Sequence, residues 1–168
     1  MFRELKRSRQ LLPAAEADAV LERGSNGVLA CLGDDGYPYA VPLNYVYFDG
    51  KVYVHSAKEG HKIDAIAGCP KVSFAVVDED TVLSDKYTSL FRSVIVFGQA
   101  RIVEGGERVR AFDAMVEKYS GDRPEEEKRK IVANCEKSYV IAVDIEHMTG
   151  KDAGKYARMR ETGKEVAQ

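Results

Sequence analysis

The segment spanning residues 37–56 restricts the fold of this chain more than any other. Aromatic and aliphatic residues occupy every second position of 37–47, and Asp49-Gly50 separates this run from a second alternating run, Lys51–Ser56. Alternation with a period of two is typical of a β-strand. A short Asp-Gly turn between two such runs favours antiparallel pairing. The segment therefore predicts a β-hairpin.

Two prolines, Pro38 and Pro42, lie in the first of these runs. Proline has no N–H to donate to a β-ladder, so it is confined to edge strands and bulges. We therefore expect this strand at an edge of the sheet. The backbone around Pro42 is then free to contact something other than a neighbouring strand.

Similar patterns predict the remaining elements. Strands are expected at residues 27–33, 72–77, 93–103 and 138–146, with a bend at Gly98 and a polar loop over 78–88. Helices are expected over 13–22, over about two turns before Pro70, and over 107–119 and 124–137, the last capped by Asp122 and Glu125. About six strands with short connections predict a small antiparallel β-barrel of the mainly β (α+β) class, with peripheral helices.

The length of 168 residues suits one hydrophobic core and is too short for two ordinary domains. We expect a single domain over 1–168, with its core over about 24–150, an N-terminal arm and helix over 1–23, and a mobile tail over 151–168. Apolar residues become rare in that tail.

Composition excludes several classes of function. The net charge is −2, from 25 basic and 27 acidic residues, so no global field favours nucleic acid or a membrane surface as a partner. Three widely spaced cysteines without a Cys-x-x-Cys pair argue against zinc and disulfide frameworks. Neither a secretory leader nor an apolar run of about 18 residues is found, so we expect a cytoplasmic protein. Glycine-rich nucleotide loops, Gly-x-Ser-x-Gly and His-Glu-x-x-His are also absent from the sequence.

Hydrogen-bond donors cluster where the hairpin leads into the short helix, at Ser56, Lys58, His61 and Lys62. Free amides and the dipole at a helix N-terminus attract anions. A phosphate there would meet amide, hydroxyl and ammonium donors together. The segment Ser56-Ala-Lys-Glu59 equally fits a plain capping box with solvated lysines. The spacing alone does not decide between the two interpretations.

Three other groups are weaker candidates. His55 lies in a strand beside Tyr53; imidazole titrates near neutrality and can transfer protons, although a lone strand histidine is more often structural. Arg92 and Ser93 form a second possible anion-facing pair at the start of the long strand. The tyrosine-rich face of the hairpin suits stacking on a flat ring, but it is also typical of core.

Over residues 24–105 the chain resembles the pyridoxamine-phosphate-oxidase-like flavoproteins, a split-barrel superfamily that binds FMN, and within it the nitroimidazole-resistance subgroup. The similar segments are Gly27-Val-Leu-Ala, Asp35-Gly-Tyr-Pro-Tyr-Ala-Val-Pro-Leu-Asn-Tyr, Val52-Tyr-Val-His-Ser-Ala, Gly60-His-Lys-Ile-Asp, Pro70-Lys-Val-Ser-Phe and, less firmly, Tyr87-Thr-Ser-Leu-Phe-Arg-Ser-Val. The order and spacing of the whole set is more specific than any one segment.

The resemblance implies a six-stranded antiparallel split β-barrel and a homodimer with FMN in clefts between the subunits. It also implies a redox role that uses NAD(P)H or another electron donor. By position, the isoalloxazine ring would face the backbone of Val41, Pro42, Leu43 and Asn44. The ribityl phosphate would lie toward Ser56, Ala57 and Lys62, with help from His61, Ser89, Arg92 or Ser93, and the reactive strand histidine of the subgroup matches His55.

Our leading hypothesis is an FMN-dependent oxidoreductase that reduces a small organic substrate, such as a nitroaromatic, at a dimer-interface cleft. The oxidase proper has an Arg-x-Val-Leu-Leu-Lys strand and an Arg-Leu-x-Pro ending that this chain lacks, which argues against vitamin B6 oxidation. One alternative is a non-catalytic flavin- or haem-binding barrel, with His55, His61 or His147 as axial ligand. Another is a structural dimer with an empty cleft.

Overall fold

The computed structural model describes residues 2–154, which form seven β-strands and four α-helices. The strands are β1 (Asn26–Leu32), β2 (Pro38–Asn44), β3 (Val46–Phe48), β4 (Lys51–Ser56), β5 (Lys71–Leu83), β6 (Thr88–Val103) and β7 (Tyr139–Asp152). The helices are α1 (Ala14–Arg23), α2 (His61–Gly68), α3 (Gly105–Ser120) and α4 (Glu125–Ala133).

All strands join one antiparallel sheet in the order β2-β1-β5-β6-β7-β4-β3. Strands β2 and β3 therefore lie at opposite edges of the sheet, although only Tyr45 separates them in sequence. Because the chain passes from one edge to the other at a single residue, the two edges must meet. The sheet thus closes into a barrel.

The interior of the barrel is a continuous apolar core. It includes Leu29, Phe74, Val96 and Ile141, all completely buried. Helix α1 adds Val20 and Leu21 to this core, and α2 adds Ala65 and Ile66. A second core lies outside the barrel, where α3 packs on one part of the sheet through Ala111 and Met115.

Several local predictions are confirmed. Asp49 and Gly50 both have positive φ, 50° and 70°, as a tight hairpin turn between right-twisted strands requires. Strand β2, with its prolines, lies at an edge. The bend expected at Gly98 is a register shift between Phe97 and Gly98, and a Cβ at 98 would meet the Asp144 carbonyl oxygen at 2.2 Å.

Other expectations were wrong. The sheet has seven strands rather than six, since the run 37–47 divides at Tyr45. Residues 78–88 do not form a loop, because β5 and β6 pair up to Leu83 and Thr88, leaving only the turn Ser84–Lys86. Strand β7 continues past 146 to Asp152, which pairs with Arg92. Helix α4 follows Pro124 without any side-chain cap. The predicted tail lies outside the described residues from 155 onward.

Hydrogen bonds from two helices fix the chain at Tyr45. The Tyr119 hydroxyl on α3 accepts from the Tyr45 N–H at 2.9 Å and lies 2.6 Å from the carbonyl oxygens of Tyr45 and Ser25, to either of which it can donate. The Tyr45 hydroxyl donates to the Leu21 carbonyl at 2.8 Å, and burial raises its pKa. Lys118 lies 4.4 Å from the centre of the Tyr45 ring. The point where the barrel closes is therefore held by both α1 and α3.

Removing the hydroxyl of Tyr119 tests this role. Tyr119→Phe leaves the buried N–H of Tyr45 without its acceptor, so we expect the free energy of unfolding to fall by about 1–3 kcal/mol. Urea denaturation followed by circular dichroism measures it. Tyr37→Phe is the control, because the side chain of Tyr37 is exposed. Equal stability of the two variants would contradict the assignment.

Candidate functional site

The barrel is incompletely paired between β2 and β4. In the described part of the chain β2 pairs with β1 alone, and β3 covers only residues 51–53 of β4, so Val54, His55 and Ser56 pair with β7 alone. Two strand edges therefore face each other without a ladder between them. We call this opening the β2–β4 gap; its edges are β2 and residues 54–56.

Ser56 and Lys62 meet at the end of this gap. The Lys62 Nζ donates to the Ser56 Oγ at 2.5 Å, with Ser56 buried and Lys62 half-buried. Helix α2 begins at His61, and its internal hydrogen bonds start at the Ile63 N–H, which donates to the Gly60 carbonyl at 2.8 Å. The amides of His61 and Lys62 precede that first bond. Together with the hydroxyl and ammonium groups, these two amides form what we call the donor cluster.

The capping-box interpretation of this segment is wrong. The residue that caps α2 is Gly60, with φ of 118°, and no side chain caps the helix. Ser56 belongs to β4 and lies too far ahead of the first helical turn to act as its cap. Its hydroxyl is bound instead by Lys62.

The donor cluster carries uncompensated positive charge. None of the ion pairs among residues 2–154 involves Lys58 or Lys62. Lys58 instead lies over the ring of Tyr139, 5.8 Å from its centre. Burial raises the pKa of the Cys31 thiol, while the nearby Lys62 ammonium lowers it in part. A site with ammonium, hydroxyl and amide donors and no paired carboxylate suits an anion.

His61 turns away from the donor cluster. Its ring stacks on Tyr39 with 4.1 Å between ring centres, and its Nε2 lies 3.7 Å from the Asp34 carboxylate. Gly33 makes room for it, because a Cβ there would lie 2.9 Å from that nitrogen. Sequence reasoning missed Asp34 and Tyr39, since no spacing signal links the β1–β2 turn to the start of α2.

The four predicted ring-facing residues lie along the edge strand β2. Val41 and Leu43 pack toward the core, whereas Pro42 and Asn44 point outward and are exposed. The Asn44 Nδ2 donates to the Ser25 carbonyl at 3.0 Å. The backbone of this strand borders the β2–β4 gap, as the prolines predicted.

His55 and Ser56 point to opposite faces of β4, because successive residues of a strand alternate. Ser56 is buried on the barrel side, and Ala57 follows it in the open. His55 is exposed on the side covered by α3, where its ring centre lies 6.4 Å from that of Phe112. The imidazole therefore lies at the outer rim of the gap rather than inside it.

The remaining candidates are distant in the same chain. Ser93 pairs with Lys151 of β7, whereas Ser56 pairs with Tyr139, so about 40 Å of strand separates them at about 3.3 Å per residue. Arg92 and Ser93 also face opposite ways. Arg92 points toward Asp78, at 3.5 Å, and Asp78 also accepts from Arg23. One chain does not bring Ser89, Arg92 and Ser93 to the donor cluster.

Thiol labelling checks the burial of the Cys31 side of this site. Cys31 and Cys135 are buried and Cys69 is partly exposed. Because a thiol reacts as the thiolate and burial raises the pKa of Cys31, we expect only Cys69 to react promptly with a disulfide reagent at pH 8 in the native protein. In Cys69→Ser the prompt phase should vanish. Prompt labelling of Cys31 would contradict the packing of this end of the barrel.

No α-helix within residues 2–154 has the length and apolar character needed to cross a bilayer.

Comparisons with solved structures identify similar folds. A conserved hypothetical protein from Mycobacterium tuberculosis shares 24% identity over 98% of this chain and 96% of its own, with a TM-score of 0.77. A putative 5-nitroimidazole antibiotic resistance protein from Bacteroides thetaiotaomicron shares 20% identity over 84% of this chain and 86% of its own, with a TM-score of 0.70. A FAD-binding protein from Mesorhizobium loti shares 28% identity over 86% of this chain and 97% of its own, with a TM-score of 0.63.

No curated protein matches the sequence. A family model described as pyridoxamine 5'-phosphate oxidase matches residues 13–152, which include every strand and the donor cluster. The split-barrel fold predicted from the sequence agrees with both findings. The chain belongs to the pyridoxamine 5'-phosphate oxidase family.

Proposed function

We propose that the protein is an FMN-dependent oxidoreductase that reduces a small organic substrate at a cleft between two subunits. The observation that carries this proposal is the donor cluster at the end of the β2–β4 gap, in a chain of a flavin-associated family. When bound, the flavin supplies the redox chemistry, since its ring accepts hydride and passes electrons on. The protein's own part is to bind, orient and shield it.

The donor cluster fits the phosphate of FMN. An ammonium group has three protons, and Lys62 uses one of them for Ser56, so others remain for a phosphate oxygen. The Ser56 hydroxyl proton and the amides of His61 and Lys62 add neutral donors. A single cluster of this kind matches the one terminal phosphate of FMN, which is our reason for proposing FMN rather than a dinucleotide.

The edge strand β2 suits the flat ring. A ring placed there would lie against the backbone of residues 41–44, where Pro42 contributes no N–H and the outward side chains are short. An unpaired strand edge offers carbonyl and N–H groups that a ring with both donors and acceptors can use. The gap thus supplies polar contacts to the ring edge and the donor cluster supplies the phosphate site.

We propose nitroaromatic compounds as the first substrate class to test and NAD(P)H as reductant. The resistance protein from Bacteroides thetaiotaomicron, which shares this fold, motivates that choice. His55 at the rim of the gap is proposed as the proton donor to the substrate. We further propose a cytoplasmic location.

The haem-binding alternative receives less support from the histidines. His55 lies near Phe112, His61 stacks on Tyr39, and His147 contacts Thr149 at 3.0 Å and stacks on Phe2. No two of these rings face each other across a cavity in residues 2–154. Absorption spectra after addition of haem would reveal a Soret band if one of them served as an axial ligand.

Loss of one ammonium group tests the phosphate site. Lys62→Ala should weaken FMN binding about tenfold to a hundredfold, because charge-assisted hydrogen bonds contribute about 1.5–3 kcal/mol each. Flavin fluorescence quenching measures the affinity. Lys58→Ala is the matched control, since Lys58 is an exposed lysine of the same loop that stacks on Tyr139.

Riboflavin separates the phosphate from the ring, because it lacks the phosphate. Lys62→Ala should leave riboflavin affinity within about twofold of wild type. An equal loss for both flavins would mean that the substitution damages the whole gap, and no loss for FMN would remove the donor cluster from the proposed site.

Replacement of His55 tests its proposed role in turnover. His55→Gln should lower the kcat of NAD(P)H-driven nitroaromatic reduction by about a hundredfold, the usual contribution of a general acid, while FMN affinity stays unchanged. His147→Gln is the control, because that ring lies on another part of the sheet. Unchanged kcat in His55→Gln would exclude a proton-donor role.

A further inference from the structure

A large part of the outer barrel surface has no helix packed on it. We call it the open face. It consists of the outward side chains of five adjacent strands, opposite the buried residues of the core. These are Pro38, Ala40 and Pro42 of β2; Val28, Ala30 and Leu32 of β1; Ser73, Ala75 and Val77 of β5; Ser93, Ile95 and Phe97 of β6; and His147, Thr149 and Lys151 of β7.

The open face is apolar and exposed. Ile95, at its centre, is 43% exposed, Leu32 is 50% exposed and Val77 is 68% exposed. Phe2 from the N-terminal arm lies over Phe97 and His147, adding another exposed ring. Contiguous apolar surface on this scale is typical of a surface that another protein covers.

The hairpin formed by the ends of β5 and β6 extends the open face. We call residues 77–93 the arm. Its tip carries Val82, 71% exposed, and Tyr87, 98% exposed. Ser89 lies on the open-face side, because it alternates in register with Phe91, Ser93 and Ile95. The arm therefore presents apolar residues and the distant candidate serine on the same side.

We infer that a second copy of this chain docks on the open face, with its two-fold axis across the strands, so that each arm completes the partner's donor cluster. The contribution of the arm to the cluster rests on the proposed function, whereas the docking face does not. The required area is available: five strands about 4.8 Å apart and about 30 Å of strand give about 700 Å², close to the usual 800 Å² per partner.

The orientation follows from symmetry. Two identical faces that pack on each other are related by an axis lying in the plane between them. If the axis ran along the strands, the two arms would lie side by side. If it runs across them, each arm lies over the end of the partner's face that carries Lys71, next to α2. Only the second arrangement brings Ser89 and Ser93 of one chain toward the Ser56 and Lys62 of the other.

Charge favours the same orientation. Asp80 lies on the open-face side of the arm, opposite Phe91, and Lys71 lies at the other end of the face, opposite Gln99. Both side chains are exposed. An axis across the strands places carboxylate near ammonium, whereas an axis along them places the two Asp80 side chains near each other. Like charges in that position oppose association.

Three measurements on the full chain test the inference. Sedimentation equilibrium should show a dimer for wild type. Ile95→Lys should raise the dimer dissociation constant at least a hundredfold, and Ala75→Arg, on the neighbouring strand, should do the same. Ile131→Lys is the matched control, because Ile131 is an exposed isoleucine on α4 and should leave the dimer unchanged. A monomeric wild type, or a dimer indifferent to both open-face variants, would overturn the inference.

Spin labels decide the orientation. Tyr87→Cys in a Cys69→Ser background places a label at each arm tip, eight residues from Ile95. An axis across the strands predicts a distance between labels of about 50 Å, and an axis along them predicts about 10–25 Å. The shorter distance would overturn the proposed arrangement.

FMN titration separates the two proposals. The folded Ile95→Lys monomer should bind FMN at least tenfold more weakly than wild type, although Ile95 lies far from the donor cluster. If the wild-type monomer or the Ile95→Lys monomer binds FMN at full strength, the partner's contribution is excluded while the proposed function stands. If wild type is a dimer that binds no FMN, the proposed function fails and the docking face stands.

Discussion

The single-residue passage at Tyr45 is the constraint on which the rest of this structure depends. Because β2 ends on one edge of the sheet and β3 starts on the other, the barrel closes at that residue. Closure at one point only leaves β2 and the end of β4 facing each other without a ladder. The hydrogen bonds of Tyr119, and of Tyr45 to Leu21, hold the passage in place from two helices. The gap is thus a consequence of how the chain closes the sheet.

The position of the donor cluster follows from the same geometry. Strand β4 outlasts its partner β3, so Ser56 reaches the open end of the gap, and the loop after it delivers the start of α2 to the same place. Lys62 then has no carboxylate to pair with and binds the Ser56 hydroxyl instead. A cation held beside an unpaired strand edge is a site for an anionic molecule with a flat polar ring. That combination links the fold to the flavin chemistry we propose.

Features fixed by local backbone chemistry could be predicted from the sequence. Asp49-Gly50 specified a hairpin turn, Pro38 and Pro42 specified an edge strand, and Gly98 specified a bend. The arm could not be predicted, because its polar residues show no burial pattern and pairing with β6 alone makes it a strand. The donor cluster was predictable by composition, but the face on which His55 lies depends on the strand register. Ser89 and Arg92 were grouped with Ser56 from linear order, and the length of β7 separates them.

The phosphorus NMR spectrum of FMN titrated into the purified protein tests the central claim most directly. A free phosphate monoester takes up its second proton near pH 6. If the donor cluster holds the phosphate, the bound resonance should be shifted from that of free FMN and should stay at its dianion position well below pH 6, because Lys62 and its neighbours stabilise the charged form. A bound phosphate that titrates like free FMN, or the absence of any bound resonance, would contradict the account.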